Sequence, residues 1–163
     1  MAMIVVLDKI INALDKGDFV LGVFLDFSKA FDTVNHNILL AKLDFYGIRG
    51  IANLCIIDYL SNRSQYVSYN GATSTHKHIK CGVPQGSILG PILFLSYIND
   101  LAHVSKELFF LMYADDTNVF LNGSNVSKLA DSMNFELHLP VAWLRANKLS
   151  LTLKKNSVHG IQS

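Results

Sequence analysis

The apolar positions of the chain follow two spacings in turn. In residues 3–16, Ile4, Leu7, Ile11 and Leu14 recur every three or four residues, which places them on one stripe of a helix that Gly17 ends. Residues 19–27 are short, nearly all apolar and rich in Val, Leu and Phe, the composition of a buried strand, with one charge, Asp26, near its C-terminal end. A helix then runs to Phe45, with Asn35 or Asn37 as cap and Gly47 as stop, and a second covers roughly 51–60. Residues 65–69 and 75–80 flank Asn70-Gly71, the pair favoured in tight hairpin turns. A Gly/Pro-rich segment leads into a helix over about 91–102, with Pro91 in the first turn, where its missing N–H is no loss. Two short strands, 108–113 and 117–121, are separated by Ala114, Asp115 and Asp116. Residues 127–147 form an amphipathic helix in two parts, interrupted by Pro140, with Phe135, Leu139 and Trp143 on a core-facing stripe. Residues 149–153 alternate as a strand. Helices and antiparallel pairs are mixed, so the expected fold class is α+β, one sheet covered by helices.

Composition narrows this picture. The length, 163 residues, fits one domain, and 50% apolar with 17% charged residues excludes a disordered chain. A net charge of +1 carries no general signal for nucleic acid. The charge is distributed in blocks, however. Acids outnumber bases in 1–40 and 81–139, and bases outnumber acids in 41–80 and 140–163, a pattern that suggests an acidic site framed by basic surfaces. Cys55 and Cys81 form neither a disulfide framework nor a paired metal spacing, which points to a reducing compartment. The apolar start meets Asp8 and Lys9 too soon for a signal core, so the sequons at Asn62, Asn122 and Asn125 carry no weight. Residues 81–99 lack charge, yet their first half is filled by Gly, Pro and polar residues, so a turn and a buried helix are expected rather than a membrane span.

Three carboxylates stand out. Asp26 ends a buried strand, and Asp115 and Asp116 occupy the tip of an apolar hairpin. Ionised carboxylates beside apolar strands are costly unless paired or metal-bound, and adjacent acids repel unless something binds them. Hard oxygen donors suit Mg²⁺, and two such ions about 3.5–4 Å apart serve phosphoryl transfer by positioning and charge neutralisation. The competing reading makes each Asp a turn or cap residue. For Asp32, outside the strand, the expected role is a cap of the coming helix. The segment 82–91 holds three glycines and two prolines ahead of a helix, which is either an ordinary loop or a place where bare backbone approaches a base or phosphate. His76 and His78 alternate on one strand face without a third ligand and read as surface residues. Arg145, Lys148, Lys154 and Lys155 form a basic end, either a phosphate track or a solvated face.

These residues carry a resemblance. Phe24-Leu25-Asp26-Phe27-Ser28-Lys29-Ala30-Phe31-Asp32 resembles motif A of reverse transcriptases, 82–91 resembles motif B, and Tyr113-Ala114-Asp115-Asp116 resembles motif C. The strings Phe31 to His36, Tyr59 to Arg63, Gly86 to Pro91 and Tyr97 to Asp100 are most similar to enzymes of non-LTR (LINE-type) retrotransposons. The resemblance covers roughly residues 1–155 and implies a polymerase palm-like antiparallel sheet packed against helices. It implies that Asp26 and Asp115 hold two catalytic Mg²⁺ ions, with Asp116 assisting the metal site or the primer end. It implies that Phe31 is the aromatic gate that screens the sugar 2′-OH of an incoming dNTP, and that Gln85, with Pro84 and Gly86, touches nucleotide and template. Lys155 aligns with the lysine of motif D, a proposed proton donor to pyrophosphate, although the surrounding residues depart from the family pattern and leave Lys154 as an alternative. The implied partners are an RNA template, a DNA primer and dNTP, with no membrane.

The expected domain content is a single partial reverse transcriptase domain over 1–163, the palm subdomain without fingers, thumb or endonuclease. Two functions fit that expectation: an RNA-directed DNA polymerase fragment, weak by itself, or an inactive retrotransposon relic that keeps the palm fold. A phospho-acceptor signalling domain needs alternating parallel βα units, which the two hairpin signals contradict.

Overall fold

The computed structural model describes residues 2–152 and 158–161. These divide into two compact units, one formed by Met1–Ser28 with Asn99–Ser163 and the other by Lys29–Ile98.

The first unit is a four-stranded antiparallel sheet with helices. Helix α1 (Ala2–Asp15) leads into strand β1 (Phe19–Asp26). After the second unit come a 3-10 stretch (Asn99–His103) and strands β6 (Phe109–Tyr113) and β7 (Asp116–Gly123), then helices α5 (Val126–Glu136) and α6 (His138–Ala146) and strand β8 (Val158–Ile161). The sheet order is β6-β7-β1-β8. Alternation fixes its faces. Val23, Leu25, Leu108 and Val119 are buried with Met133 of α5, and Leu21, Phe110 and Leu121 pack against them, so one face is the core. Asn125 caps α5 by accepting a hydrogen bond from the Lys128 N–H at 3.1 Å.

Several expectations change here. The stripe Ile4, Leu7 and Ile11 of α1 is 62%, 49% and 52% exposed, while Val6 and Ala13 face inward. Both sides of this helix are apolar, so spacing alone did not select the buried one. The break between α5 and α6 falls at Leu137, upstream of Pro140, which sits in the first turn of α6. Proline lacks a donor and crowds the carbonyl four residues earlier, so the disruption is felt at Glu136. Phe135 is exposed rather than core, and Trp143 is half-buried with its indole N–H donating to Asp100 at 3.1 Å. Of the strand expected at 149–153, the described part up to residue 152 forms a short run beside the end of β1, with Phe27 bridging Leu151, and residue 153 lies outside the described residues, whereas the tail adds strand β8 beside Val20–Val23, which its weakly apolar sequence did not suggest.

The second unit begins with a 3-10 turn (Ala30–Asp32), followed by helices α2 (His36–Phe45) and α3 (Ile51–Leu60). Asn35, not Asp32, caps α2, its side chain accepting from the Ile38 N–H. The hairpin turns at Asn70-Gly71 as expected, but its ladder is broken into β2 (Ser64–Gln65) with β5 (Lys77–His78), and β3 (Ser68–Tyr69) with β4 (Ala72–Thr73). Two residues separate the pairs on one side and three on the other, which is a bulge. Helix α4 (Leu89–Ile98) starts two residues before Pro91. Val34, Leu39, Leu43, Phe94, Tyr97 and Ile98 are essentially inaccessible and form the core. Tyr97 joins α2 to α4, its carbonyl accepting from Lys42 Nζ at 2.6 Å. Among the described residues no helix is long and apolar enough to cross a membrane.

Gly82 is locked between chain segments. Its N–H donates to the Val34 carbonyl at 2.7 Å, and a Cβ there would lie 2.8 Å from the Asp32 carbonyl oxygen, at φ +89°. Gly47 also has positive φ, +93°, but open space around it. Gly82→Ala is therefore expected to cost about 2 kcal/mol or more and Gly47→Ala about 1 kcal/mol. Urea unfolding of both variants checks this, and equal losses would refute the steric account.

Candidate functional site

The acidic site is a product of strand register. In the β1–β7 ladder Leu25 faces Thr117, and the next rung sets Asp26 directly opposite Asp116. Side chains on directly opposed rungs share a face, with Cβ atoms about 4.5–5.5 Å apart. This is the face away from the Val23–Leu25 core, and it also carries Phe24, Asn118 and Phe120. The β6–β7 hairpin closes at Tyr113 against Asp116, so the turn is Ala114-Asp115 and Asp116 belongs to the strand. Ala114 has φ 53°, a left-handed conformation that a residue with a Cβ adopts at some cost. That turn puts Asp115 next to the Asp26–Asp116 rung.

The backbone of Asp26 is held on both sides. On one side is β7. On the other, its carbonyl accepts from the Thr152 N–H at 2.8 Å, and Ser28 N–H donates to the Ser150 carbonyl at 2.8 Å. Below the site Thr117 is wholly buried, with its hydroxyl oxygen unpartnered. Among the described residues no hydrogen bond or ion pair engages the carboxylates of Asp26, Asp115 or Asp116.

Opposed carboxylates of hard oxygen donors, left without a protein cation, fit a divalent metal. No trio of His, Cys, Asp or Glu forms a ready-made metal cluster among the described residues. The register pairs Asp26 with Asp116, and the three acids together do not form such a cluster.

The second unit gathers the other candidates. Phe31 is half-buried, its ring 4.6 Å from that of Phe94. Its carbonyl accepts from the Val83 N–H at 2.8 Å, which ties the 3-10 turn to the Gly/Pro segment. Gln85 is exposed, and its Nε2 donates to Asp32 Oδ1 at 2.8 Å. Asp32 thus orients Gln85 instead of capping a helix. Nothing in the sequence pointed to this pair, because 53 positions separate the two residues. Gly86 follows at φ +78° in an exposed turn, and the Ser87 hydroxyl donates to the Pro84 carbonyl and accepts from the Gly90 N–H, starting α4. Gly90 must be glycine, since a Cβ would stand 2.7 Å from the Pro84 oxygen. His76 and His78 are exposed, and so are the free thiols Cys55 and Cys81. Lys154 and Lys155 lie outside the described residues.

Comparison with known proteins gives the family of the chain. Residues 6–160 match the family model described as reverse transcriptase (RNA-dependent DNA polymerase). The RNA-directed DNA polymerase from mobile element jockey of Drosophila melanogaster is 32% identical over 123 residues, 71% of this chain and 13% of that protein. The probable RNA-directed DNA polymerase from transposon X-element of the same organism is 27% identical over 93% of this chain and 17% of its own length. The chain therefore spans under a fifth of these relatives. Among solved structures, apo telomerase from Candida tropicalis, truncated from its C-terminal domain, superposes with a TM-score of 0.65 at 16% identity, covering 97% of this chain and 35% of that one, a likeness of fold. The chain, with a palm-type fold whose acids face each other across β1 and β7, belongs to the reverse transcriptase family, among relatives from non-LTR retrotransposons.

Proposed function

We propose that this chain carries the palm chemistry of an RNA-directed DNA polymerase, adding deoxynucleotides to a primer 3′ end on an RNA template. The observation that carries the reading is the Asp26–Asp116 rung with Asp115 in the adjoining turn. Asp26 and Asp115 are assigned as metal-holding acids, with Asp116 completing the site. The expected group is a pair of Mg²⁺ ions, which would neutralise phosphate charge and favour ionisation of the attacking hydroxyl.

The chain's own residues supply position. Asp26 is clamped between β7 and the 150–152 run, so its carboxylate starts from a fixed backbone. Phe31 presents a ring braced by Phe94, a rigid wall against a ribose 2′-OH. Gln85, tethered through Nε2 to Asp32, keeps its carbonyl oxygen free for a nucleotide or template contact. Lys155 is assigned to the pyrophosphate end from sequence position alone.

Primer extension on poly(rA)/oligo(dT) with Mg²⁺ tests the activity. Asp26→Asn and Asp115→Asn are each expected to reduce extension to background. Mg²⁺ is also expected to raise the melting temperature of the wild-type chain by mass action, and to do so less for Asp26→Asn. Without metal, Asp116→Asn should melt higher than wild type, because it removes a like-charge rung. Absence of any Mg²⁺-dependent shift would sink the metal assignment. A shift without extension would identify an inactive relic.

Phe31→Ala is expected to admit ribonucleotides. The ratio of kcat/KM for dTTP to that for UTP should fall by at least about tenfold, roughly 1.4 kcal/mol of lost discrimination. An unchanged ratio would return Phe31 to a packing role.

A further inference from the structure

Space demands a glycine at position 82, because a Cβ there would lie 2.8 Å from the Asp32 carbonyl oxygen. Glycine also gives the backbone more rotational freedom than any other residue. The peptide plane that joins Gly82 to Val83 is therefore soft on its glycine side. Both ends of this plane are nevertheless engaged. Its N–H, from Val83, donates to the Phe31 carbonyl at 2.8 Å. Its C=O, from Gly82, accepts from Nε2 of the His36 ring at 2.7 Å. A carbonyl oxygen only accepts, so the proton of this bond sits on Nε2. In a trans peptide the two groups point in opposite directions, and a plane held at both ends cannot tilt without straining a bond.

His36 is itself firmly carried. It is the first residue of α2 and is half-buried. Just before it, the Asn35 N–H donates to the Tyr97 hydroxyl at 3.4 Å, and the Asn35 side chain accepts from the Ile38 N–H at 3.2 Å. Tyr97 is wholly buried, so the imidazole hangs from backbone anchored in the core. The helix gains nothing from a histidine at this place. Asn35 already supplies the cap, and a protonated imidazole is disfavoured beside the positive end of a helix dipole. The contact that distinguishes this ring is the one to Gly82, 46 positions away.

The plane links the residues that the polymerase reading uses. At its N–H end is the main chain of Phe31, whose ring packs 4.6 Å from that of Phe94. Beyond Val83, the chain runs directly into Pro84 and Gln85. A small tilt of the plane would pull on the Phe31 carbonyl, and the ring would follow its backbone. We infer that His36 is a positioning residue for nucleotide selection: by fixing the Gly82–Val83 peptide it keeps the Phe31 ring where it screens the sugar. This rests on the polymerase reading and adds to it a residue that acts only through the main chain of others.

Two measurements on the whole chain test this. The first needs no activity: hydrogen exchange of the Val83 amide, followed by NMR. His36→Phe keeps a ring and removes the donor, and should speed that exchange about fivefold or more. His36→Gln, whose amide nitrogen reaches about as far as Nε2, should restore the slow rate. The second is single-nucleotide primer extension. His36→Phe should raise KM for dTTP about fivefold and lower the dTTP-to-UTP ratio of kcat/KM about threefold or more, with kcat within about twofold of wild type. His36→Gln should reverse both changes. In a Phe31→Ala background, His36→Phe should lower the ratio no further, since the ring it positions is gone. His36→Asn, too short to reach Gly82, replaces His36→Phe should that variant fail to fold. Unchanged Val83 exchange overturns the inference. So does a loss of kcat alone with KM and the ratio unmoved, a glutamine that restores nothing, or a further fall in the double variant. If the wild-type chain extends no primer, the polymerase reading falls and the role in selection with it, while Val83 exchange still decides whether His36 holds the peptide.

Discussion

Two like charges face each other at the end of β1 because the register of the sheet leaves them no other place. Val23 and Leu25 must point into the core with Val119, and a slip of one residue would turn that whole set outward. The register is therefore fixed by apolar burial several rungs away, and Asp26 and Asp116 meet as its consequence. Hydrophobic energy holds together a pair that electrostatics would separate. The proposed metal site therefore does not rely on its acids for stability.

The other unit uses close backbone contact. Gly82 and Val83 hydrogen-bond to the carbonyls of Val34 and Phe31, and the absence of a side chain at Gly82 lets the two loop segments approach. Two stretches far apart in sequence are thus fixed side by side. Phe31, Asp32 and Gln85 become neighbours through main-chain geometry, and their side chains inherit that proximity.

Much of this was legible in the sequence, for identifiable reasons. The apolar run 19–27, the Asn70-Gly71 turn and the glycine stops of the helices are local signals, and each element formed close to its expected bounds. The three acids stand out in the sequence as candidates because carboxylates are conspicuous among apolar strands, and the register brings Asp26 opposite Asp116. What could not be read was long-range. The choice of buried face on α1 depends on the sheet beneath it, since the helix is apolar on both sides. The Asp32–Gln85 bond depends on where two loops cross. Strand β8 depends on an open edge of β1 that makes even a weakly apolar segment a partner. The sequence marks a helix break at Pro140 itself, whereas a proline disturbs the turn before it, and the break falls at Leu137.

The sheet unit is discontinuous: Lys29–Ile98 lies between β1 and the strands it joins. This bears on how the chain folds. Strands β6 and β7 meet across a tight turn and can zip early, while β1 must wait for the closure of a loop that contains the whole second unit. Such non-local pairing is slow, because chain entropy is lost before the contacts repay it. An intervening unit that condenses first shortens the effective loop.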